Sequence, residues 1–167
     1  YPYAITLGAL TDRDELIHQV GKAIGNDCKK AGIQWNLAPV VDINNNPENP
    51  VIGYRSFGDN RESVVGKAEA FLKGMQDSGT LNSIKHFPGH GDTATDSHLG
   101  LPVIDKSLDE LFENELYPFK KLIDMGVDSV MVGHLLLPQL DAENPSTTSS
   151  KIITELLRDQ LGFKGVV

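Results

Sequence analysis

The densest group of potentially reactive side chains lies within residues 85–98, which hold three of the five histidines. Near the end of this segment, Asp96 and His98 are separated by one residue. A carboxylate so placed can accept the Nδ1 proton of the imidazole, which fixes the tautomer and raises the basicity of the other nitrogen. A histidine oriented in this way is a competent general acid or base near neutral pH. The alternative, a solvated loop whose two polar residues are unrelated, stays open.

The same segment also permits a metal site. The side chains that could ligate Zn²⁺ or Mn²⁺ are His86, His90, Asp92, Asp96 and His98. Their spacing lacks the regular i, i+2 or i, i+4 pairing that would make a ligand set specific. We therefore expect no metal and no other cofactor, and we keep a metal-dependent hydrolase as an alternative.

Several further polar residues are expected where strands end. Lys85 and His86 close a buried strand, where an ammonium group is costly unless it has partners. Lys85 could serve a site or form a structural salt bridge, and His86 could line a pocket or be a hydrogen-bonded core residue. Arg55 could hold a ligand with its guanidinium fork or pin its own loop through backbone carbonyls. Asp42 and His134 could line or brace the same pocket, and we favour bracing for Asp42.

The elements that would position these residues alternate between helix and strand. Strands are predicted to begin near residues 34, 81, 128 and 164, with helices between them. Such an order indicates a parallel sheet with right-handed crossovers, either an open doubly wound sheet or part of a (β/α)8 barrel. In both architectures, the site lies at the carboxyl ends of the strands. The long polar loops fall there, at residues 42–59, 86–106 and 134–150.

Local signals fix the expected boundaries. A buried strand is predicted over residues 34–41, with Trp35 in the core. Capping signals at Thr11, Asp59 and Ser107 each predict the start of a helix, and a fourth helix is expected over residues 150–161.

Composition limits the class of protein. The chain has 167 residues, a net charge of −8 and a pI near 5.0. This acidity argues against nucleic acid and against an anionic membrane surface, both of which require a basic face. No apolar run reaches membrane-spanning length, so we expect no insertion into a bilayer. Cys28 is the only cysteine, which excludes an internal disulfide. Localisation stays unknown.

Two long motifs resemble a known family. Residues 85–93 (KHFPGHGDT) and 96–98 (DSH) are similar to the bacterial β-N-acetylglucosaminidase branch of glycoside hydrolase family 3. Residues 36–42 (NLAPVVD), 55–58 (RSFG) and 162–167 (GFKGVV) resemble the same family, in the same order. The resemblance implies a (β/α)8 TIM-type barrel and a retaining glycosidase that removes terminal β-linked N-acetylhexosamine.

The resemblance also implies roles for individual residues. His98 would be the general acid/base and Asp96 its orienting partner, while Arg55, Lys85 and His86 would hydrogen-bond the sugar that is cleaved off. Histidine is an unusual choice, because most glycosidases use two carboxylates. A histidine acid/base would also tolerate phosphate as the acceptor, so phosphorolysis stays open beside hydrolysis.

One departure from the family concerns the nucleophile, an Asp expected shortly after the strand that begins at residues 165–167. We therefore expect residues 1–167 to be one partial barrel domain of about four βα units, truncated at both ends and inactive alone. The alternative is a catalytically inactive relative that binds sugar.

Overall fold

The computed structural model describes residues 1–94 and 100–167, so Asp96 and His98 lie outside the described residues. The strands are β1 (Ser83–Phe87) and β2 (Ser129–Val132). The α-helices are α1 (Ala4–Gly8), α2 (Asp14–Lys30), α3 (Arg61–Ser78), α4 (Leu108–Glu113) and α5 (Leu116–Ile123). A 3-10 helix spans Gly53–Arg55 and a π-helix spans Lys151–Gln160.

The strands run parallel, as the helix and strand alternation predicts. β1 pairs with β2 in register from Ser83 opposite Ser129 to Lys85 opposite Met131, and the register shifts before Phe87. Isolated parallel bridges extend this order on both sides: Trp35 pairs with Leu81, Val40 with Lys85, and Ser129 with Val166. Four segments thus lie side by side in chain order, which brings their carboxyl ends to one edge.

The predicted strand over residues 34–41 is wrong as a regular strand. Only the two bridges at Trp35 and Val40 form there. Pro39 has no N–H to donate to a ladder, and the amide of Ala38 turns back to the carbonyl of Asn36 at 2.9 Å. The core position expected for Trp35 is also wrong. Its ring is 41% exposed on the wall of an apolar cavity of about 650 Å³, with Nε1 donating to Ser129 Oγ at 3.1 Å.

Helices α2 and α3 form the largest helix pair. Glycine at positions 21 and 74 permits their close approach. A Cβ on Gly21 would collide with the carbonyl of Phe71, and a Cβ on Gly74 would collide with the carbonyl of His18. Asn60 caps α3 by accepting from the amide of Ser63 at 2.9 Å, one residue after the predicted Asp59. The capping box predicted at Thr11 is wrong, because α2 begins after Arg13 without a side-chain cap.

The third helical region is interrupted. The capping box of Ser107 and Glu110 forms as predicted and starts α4. Two residues separate α4 from α5, and one of them, Glu115, has its side chain buried below the loop that follows β1. The fourth helix lies where it was predicted, but with π-type bonding, such as Leu161 N–H to the carbonyl of Leu156.

The core fills the space between these helices and the strands. Its fully buried members include Leu72, Met75, Ile84, Phe87, Phe119 and Leu122. Phe87 and Phe119 meet edge to face with centroids 5.3 Å apart. Each such side chain contributes roughly 1.5–3 kcal/mol relative to an exposed one, so the end of β1 is firmly anchored. Within the described ranges, no helix has the length and apolar character needed to cross a bilayer.

Candidate active site

A cavity of about 370 Å³ opens at the carboxyl ends of β1 and β2. Its polar lining comes from Arg55, Lys85, His86, His90 and His134. The structure thus brings together all three residues for which sugar binding was expected, Arg55, Lys85 and His86. Their positions follow from the fold, because Lys85 and His86 lie on β1 and the 3-10 helix carries Arg55 over the same edge.

Asp42 braces the cavity from beneath. It is only 1% exposed, and its carboxylate accepts from His86 Nδ1 at 2.7 Å and from the amides of His86 and His90 at 3.1 and 2.7 Å. Burial alone would raise the pKa of Asp42, but His86 and these amides outweigh burial and hold the pKa below its usual value. Asp42 therefore stays ionised, as the bracing role requires.

His86 combines the two roles considered from the sequence. Its Nδ1–H is held by the Asp42 carboxylate, and its ring also forms part of the cavity wall. When the ring is neutral, this contact selects the tautomer in which Nε2 carries the lone pair and can accept a hydrogen bond.

Lys85 is the cationic side chain that β1 places on the cavity wall. Among residues 1–94 and 100–167, the ion pairs formed do not include Lys85, which leaves the structural salt bridge without support there. Burial and then the positive charge of Arg55 lower the pKa of Lys85, and Asp42 opposes this only in part. Because Lys85 lines the cavity, its side-chain nitrogen can donate a hydrogen bond into it.

Arg55 both pins its loop and faces the cavity. Its Nη1 donates to the carbonyl of Val51 at 3.0 Å, the contact considered as the alternative to ligand binding. Because this contact fixes the guanidinium group at one point, the directions of its remaining N–H donors are restricted.

Asn49 was missed by the sequence analysis although it ties two loops together. Its side-chain amide donates to the carbonyls of His90 and Gly91 at 2.7 and 3.0 Å. Its oxygen accepts from the amides of Val51 and Ile52. Nothing in the local sequence marks this role, since its partners lie about 40 residues away.

His90 and His134 complete the wall. His90 is 1% exposed, its Nδ1 lies 2.7 Å from Thr93 Oγ1, and burial lowers its pKa, so it is neutral. Its Nε2 has no partner among the described residues. His134 is exposed and its Nδ1 lies 2.8 Å from Thr147 Oγ1. Of the two roles considered for His134, the structure shows lining.

The candidate metal ligands that lie within the described residues have other partners. Asp92 lies 2.5 Å from Lys106 Nζ, His86 is held by Asp42, and His90 by Thr93. No group of three or more metal-ligating side chains occurs in the part of the chain that the structure describes. Lys106 and its second partner, Glu115, were not anticipated from the sequence.

These features define the class of protein. Parallel βα segments carry a cavity at their carboxyl ends, and that cavity presents cationic and neutral hydrogen-bonding groups to a polar ligand. This is the position of the site in α/β barrels.

The family follows from comparison with known proteins. Residues 1–167 match the family described as "Glycosyl hydrolase family 3 N terminal domain", and the chain belongs to this family. The resemblance of its motifs is thereby confirmed. Beta-hexosaminidase A of Pseudoalteromonas piscicida is 41% identical over 160 residues, which cover 89% of this chain and 27% of that protein.

Solved structures share the fold. A family 3 β-N-acetylglucosaminidase from Paenibacillus sp. str. FPU-7 matches with a TM-score of 0.93 at 44% identity, over 97% of this chain and 31% of that one. NagZ from Neisseria gonorrhoeae in complex with N-trifluoroacetyl-D-glucosamine matches at 0.91 with 38% identity, over 99% and 50%. The predicted TIM-type barrel is confirmed, and the open doubly wound sheet is not the fold. The chain spans half or less of these proteins.

Proposed function

We propose that this chain is part of a glycoside hydrolase that removes terminal β-linked N-acetylhexosamine, N-acetylglucosamine in particular. The observation that carries the proposal is the convergence of Arg55, Lys85 and His86 on one cavity at the carboxyl ends of the strands. The similar proteins from Pseudoalteromonas and Paenibacillus bear the names of enzymes of this class, which supports the same substrate class.

The chemistry of the cavity suits a neutral, hydroxyl-rich ligand. Lys85 and Arg55 supply only donors, whereas Nε2 of His86 can accept a hydrogen bond when the ring is neutral. A sugar hydroxyl both donates and accepts, so neighbouring hydroxyls can be read by such a pair. Hydrogen bonds to charged groups contribute about 1.5–3 kcal/mol each, enough to select a sugar orientation.

We further propose that Asp96 and His98 form the acid/base pair of a retaining reaction. His98 would protonate the oxygen of the departing group and later deprotonate water, with Asp96 holding its tautomer. The support is the one-residue spacing of the pair and its place in the sequence shortly after His90, which lines the cavity. The nucleophile that forms the covalent intermediate is proposed to lie outside residues 1–167, because the similar proteins are longer.

Turnover of an aryl β-N-acetylglucosaminide by the longest native chain that contains this sequence tests the proposal. His98→Ala should lower kcat by roughly 100- to 10,000-fold, the usual contribution of general acid/base catalysis. His18→Ala is the matched control, because His18 lies on α2 beside Asp77 and away from the cavity. Wild-type turnover in the His98 variant would refute the assignment. A parent chain that binds the sugar without turnover would indicate the inactive relative instead.

A further inference from the structure

One buried amide joins two loops that carry polar groups to the cavity. Asn49 is 7% exposed, and its Nδ2 donates to the carbonyls of His90 and Gly91 at 2.7 and 3.0 Å. Its Oδ1 accepts from the amides of Val51 and Ile52 at 2.9 and 2.8 Å. A primary amide has two N–H donors and an oxygen with two lone pairs, so these four contacts use its whole hydrogen-bonding capacity.

Asparagine in this orientation matches its surroundings on both sides. With the amide reversed, the NH2 group would face two N–H donors and the oxygen would face two carbonyls, so buried groups would lack partners. An ionised aspartate would keep the acceptor but would present no donor to His90 and Gly91. Position 49 therefore requires a donor and an acceptor at once, which is what a link between two backbone segments needs.

The acceptor half of Asn49 holds the start of the 3-10 helix that carries Arg55. The carbonyl of Ile52 accepts from the Arg55 amide at 2.8 Å, and the carbonyl of Val51 accepts from Arg55 Nη1 at 3.0 Å. Among residues 1–94 and 100–167, the hydrogen-bond partners of the Val51 backbone are Asn49 and Arg55. The guanidinium of Arg55 is thus held by a residue that Asn49 holds in turn.

The donor half of Asn49 is anchored to the part of the site that β1 holds. The His90 amide donates to Asp42 Oδ1 at 2.7 Å, and the Asp42 carboxylate also binds His86 Nδ1 at 2.7 Å. Asp42 is itself buried, at 1% exposure. Asn49 therefore connects the stretch that holds Arg55 with the carboxylate that fixes His86.

A second contact holds the other end of the same 3-10 helix. Ser56, directly after Arg55, donates through Oγ to the carbonyl of Asp42 at 2.6 Å. This contact fixes the backbone after Arg55, whereas the guanidinium bonds to Val51 on the Asn49 side. Loss of the Asn49 amide should therefore leave the loop folded and change mainly the direction of the guanidinium.

We propose that Asn49 is a positioning residue that sets the direction of the Arg55 guanidinium relative to Lys85 and His86. The effect on catalysis rests on the proposed function, in which Arg55 binds the sugar. Asn49 is not among the described residues that line the cavity, so it acts through Val51 and Arg55. A sugar that must meet donors from two loops is well placed only if those loops keep a fixed separation.

Asn49→Ser in the longest native chain that contains this sequence removes the link without adding a charge. A serine hydroxyl can form the same local turn more weakly, but its single O–H cannot also serve both carbonyls of the second loop. We expect kcat/KM for an aryl β-N-acetylglucosaminide to fall by roughly 10-fold, because a small displacement of a group that orients the substrate is costly. Amide hydrogen exchange in peptides covering residues 50–56 should accelerate by roughly 10-fold or more, with little change in α3.

A double-mutant cycle with Arg55→Ala separates positioning from support of the fold. If Asn49 acts through Arg55, Asn49→Ser should change kcat/KM by less than about 3-fold once the guanidinium is absent, because coupled residues do not give additive effects. The urea midpoint should fall by a similar amount in both backgrounds, since Asn49 loses the same hydrogen bonds in each. Equal fold-losses of kcat/KM in both backgrounds would overturn the inference.

Asn60→Ser is the matched control. Asn60 caps α3 by accepting from the amide of Ser63 through its side-chain oxygen, and serine is an equally good cap. Hydrogen exchange and kcat/KM should both stay at parent values in this variant. If Asn49→Ser does not fold, Asn49→Asp gives the same test, because it keeps the side-chain size and the acceptor while its ionised form lacks the donor.

Hydrogen exchange tests the link independently of turnover. Unchanged exchange in residues 50–56 of a folded Asn49→Ser or Asn49→Asp variant overturns the inference, even if the parent is an active hexosaminidase. Faster exchange there, in a parent without hexosaminidase activity, supports the link and refutes the proposed function. An undiminished kcat/KM in a variant with faster exchange also overturns the inference, because the guanidinium would then keep its direction without Asn49.

Discussion

Two half-buried lysines, Lys85 on the cavity wall and Lys106 beside Asp92 and Glu115, have opposite electrostatic surroundings. On the cavity side, burial and Arg55 lower the pKa of Lys85, and Asp42, the carboxylate that acts on it, is committed to His86 and two amides. Lys106, by contrast, binds two carboxylates, and its pKa is raised. A lysine without an ion-pair partner among residues 1–94 and 100–167 is suited to bind a ligand, whereas one with two partners is suited to hold structure.

The buried carboxylates differ in the same sense. Asp42 meets an imidazole and two backbone amides, so it fixes the backbone and the histidine at the end of β1. Glu115 meets side-chain donors from three places, and its Oε2 has no partner in the described part of the chain. We infer that the region around Asp42 is held mainly by contacts to backbone amides, whereas the region around Glu115 is held by contacts between side chains.

The largest effect is expected from Asp42→Asn. An asparagine would turn an NH2 group toward N–H donors, so the His86 tautomer and at least one amide contact would be lost. We expect kcat/KM for an aryl β-N-acetylglucosaminide to fall by roughly 10- to 100-fold, because a misoriented His86 loses its hydrogen bond to the sugar. Stability should fall by about 1–3 kcal/mol, the cost of leaving a buried donor without a partner. Urea unfolding measures the second quantity, and near-parent values of both would remove Asp42 from its bracing role.

A smaller effect is expected when either lysine is replaced by Met, and the change in the free energy of unfolding should have opposite signs for Lys85 and Lys106. Lys85→Met removes a cation that burial disfavours, so the free energy of unfolding should stay constant or rise by up to about 1 kcal/mol. KM should rise by roughly 10-fold, since a hydrogen bond from a charged donor is lost. Lys106→Met should instead destabilise, because Glu115 is left buried without its cation. Urea unfolding of both variants measures these changes. A loss of stability in Lys85→Met would contradict the distinction between the two lysines.

The smallest effect concerns pH. His90 has a lowered pKa in the folded chain, so the unfolded chain binds the proton more readily. Its contribution to stability is therefore complete above about pH 6.5, the usual histidine value, and is lost as the pH falls through the folded pKa. Between pH 7.5 and about pH 5, the His90→Gln variant should lose less stability than the parent. The difference should be roughly 1 kcal/mol for each unit by which folding lowers the pKa of His90.

The control for this pH prediction is His134→Gln, because His134 is exposed on the same cavity wall. That variant should follow the parent across the same range in urea unfolding experiments. An equal pH dependence in the parent and His90→Gln would show that protonation of His90 is not linked to unfolding.

The sequence predicted, for a clear physical reason, that the strands run parallel and that the site lies at their carboxyl ends. Strands such as β1 carry buried apolar runs, and polar residues at their ends must meet when the strands lie parallel. Lys85 and His86 were predicted at such a strand end, whereas Arg55 was singled out in the loop over residues 42–59. A regular strand was wrongly predicted over residues 34–41 because the prediction gave more weight to the apolar residues there than to Pro39, which interrupts a ladder.

Residues that bind across long sequence separations could not be found from the pattern. Asn49 and Glu115 look like ordinary polar residues of a loop and of a helix boundary, yet their partners lie about 41 and 70 residues away. Hydrophobic periodicity records which face is buried and carries no information about pairs of this kind. Lys106 was placed at the end of a loop without any indication of its two carboxylates.

The most direct test of the central claim, that the cavity at the ends of β1 and β2 binds and orients an N-acetylhexosamine, is a comparison of two substrates. The kcat/KM values for an aryl β-N-acetylglucosaminide and an aryl β-glucoside would be measured for the longest native chain and for Arg55→Ala. Preference for the N-acetylated substrate, with a loss of roughly 10-fold or more in the variant, is the result that the proposed function predicts. Preference for the glucoside, or an Arg55→Ala variant as active as the parent, would contradict it.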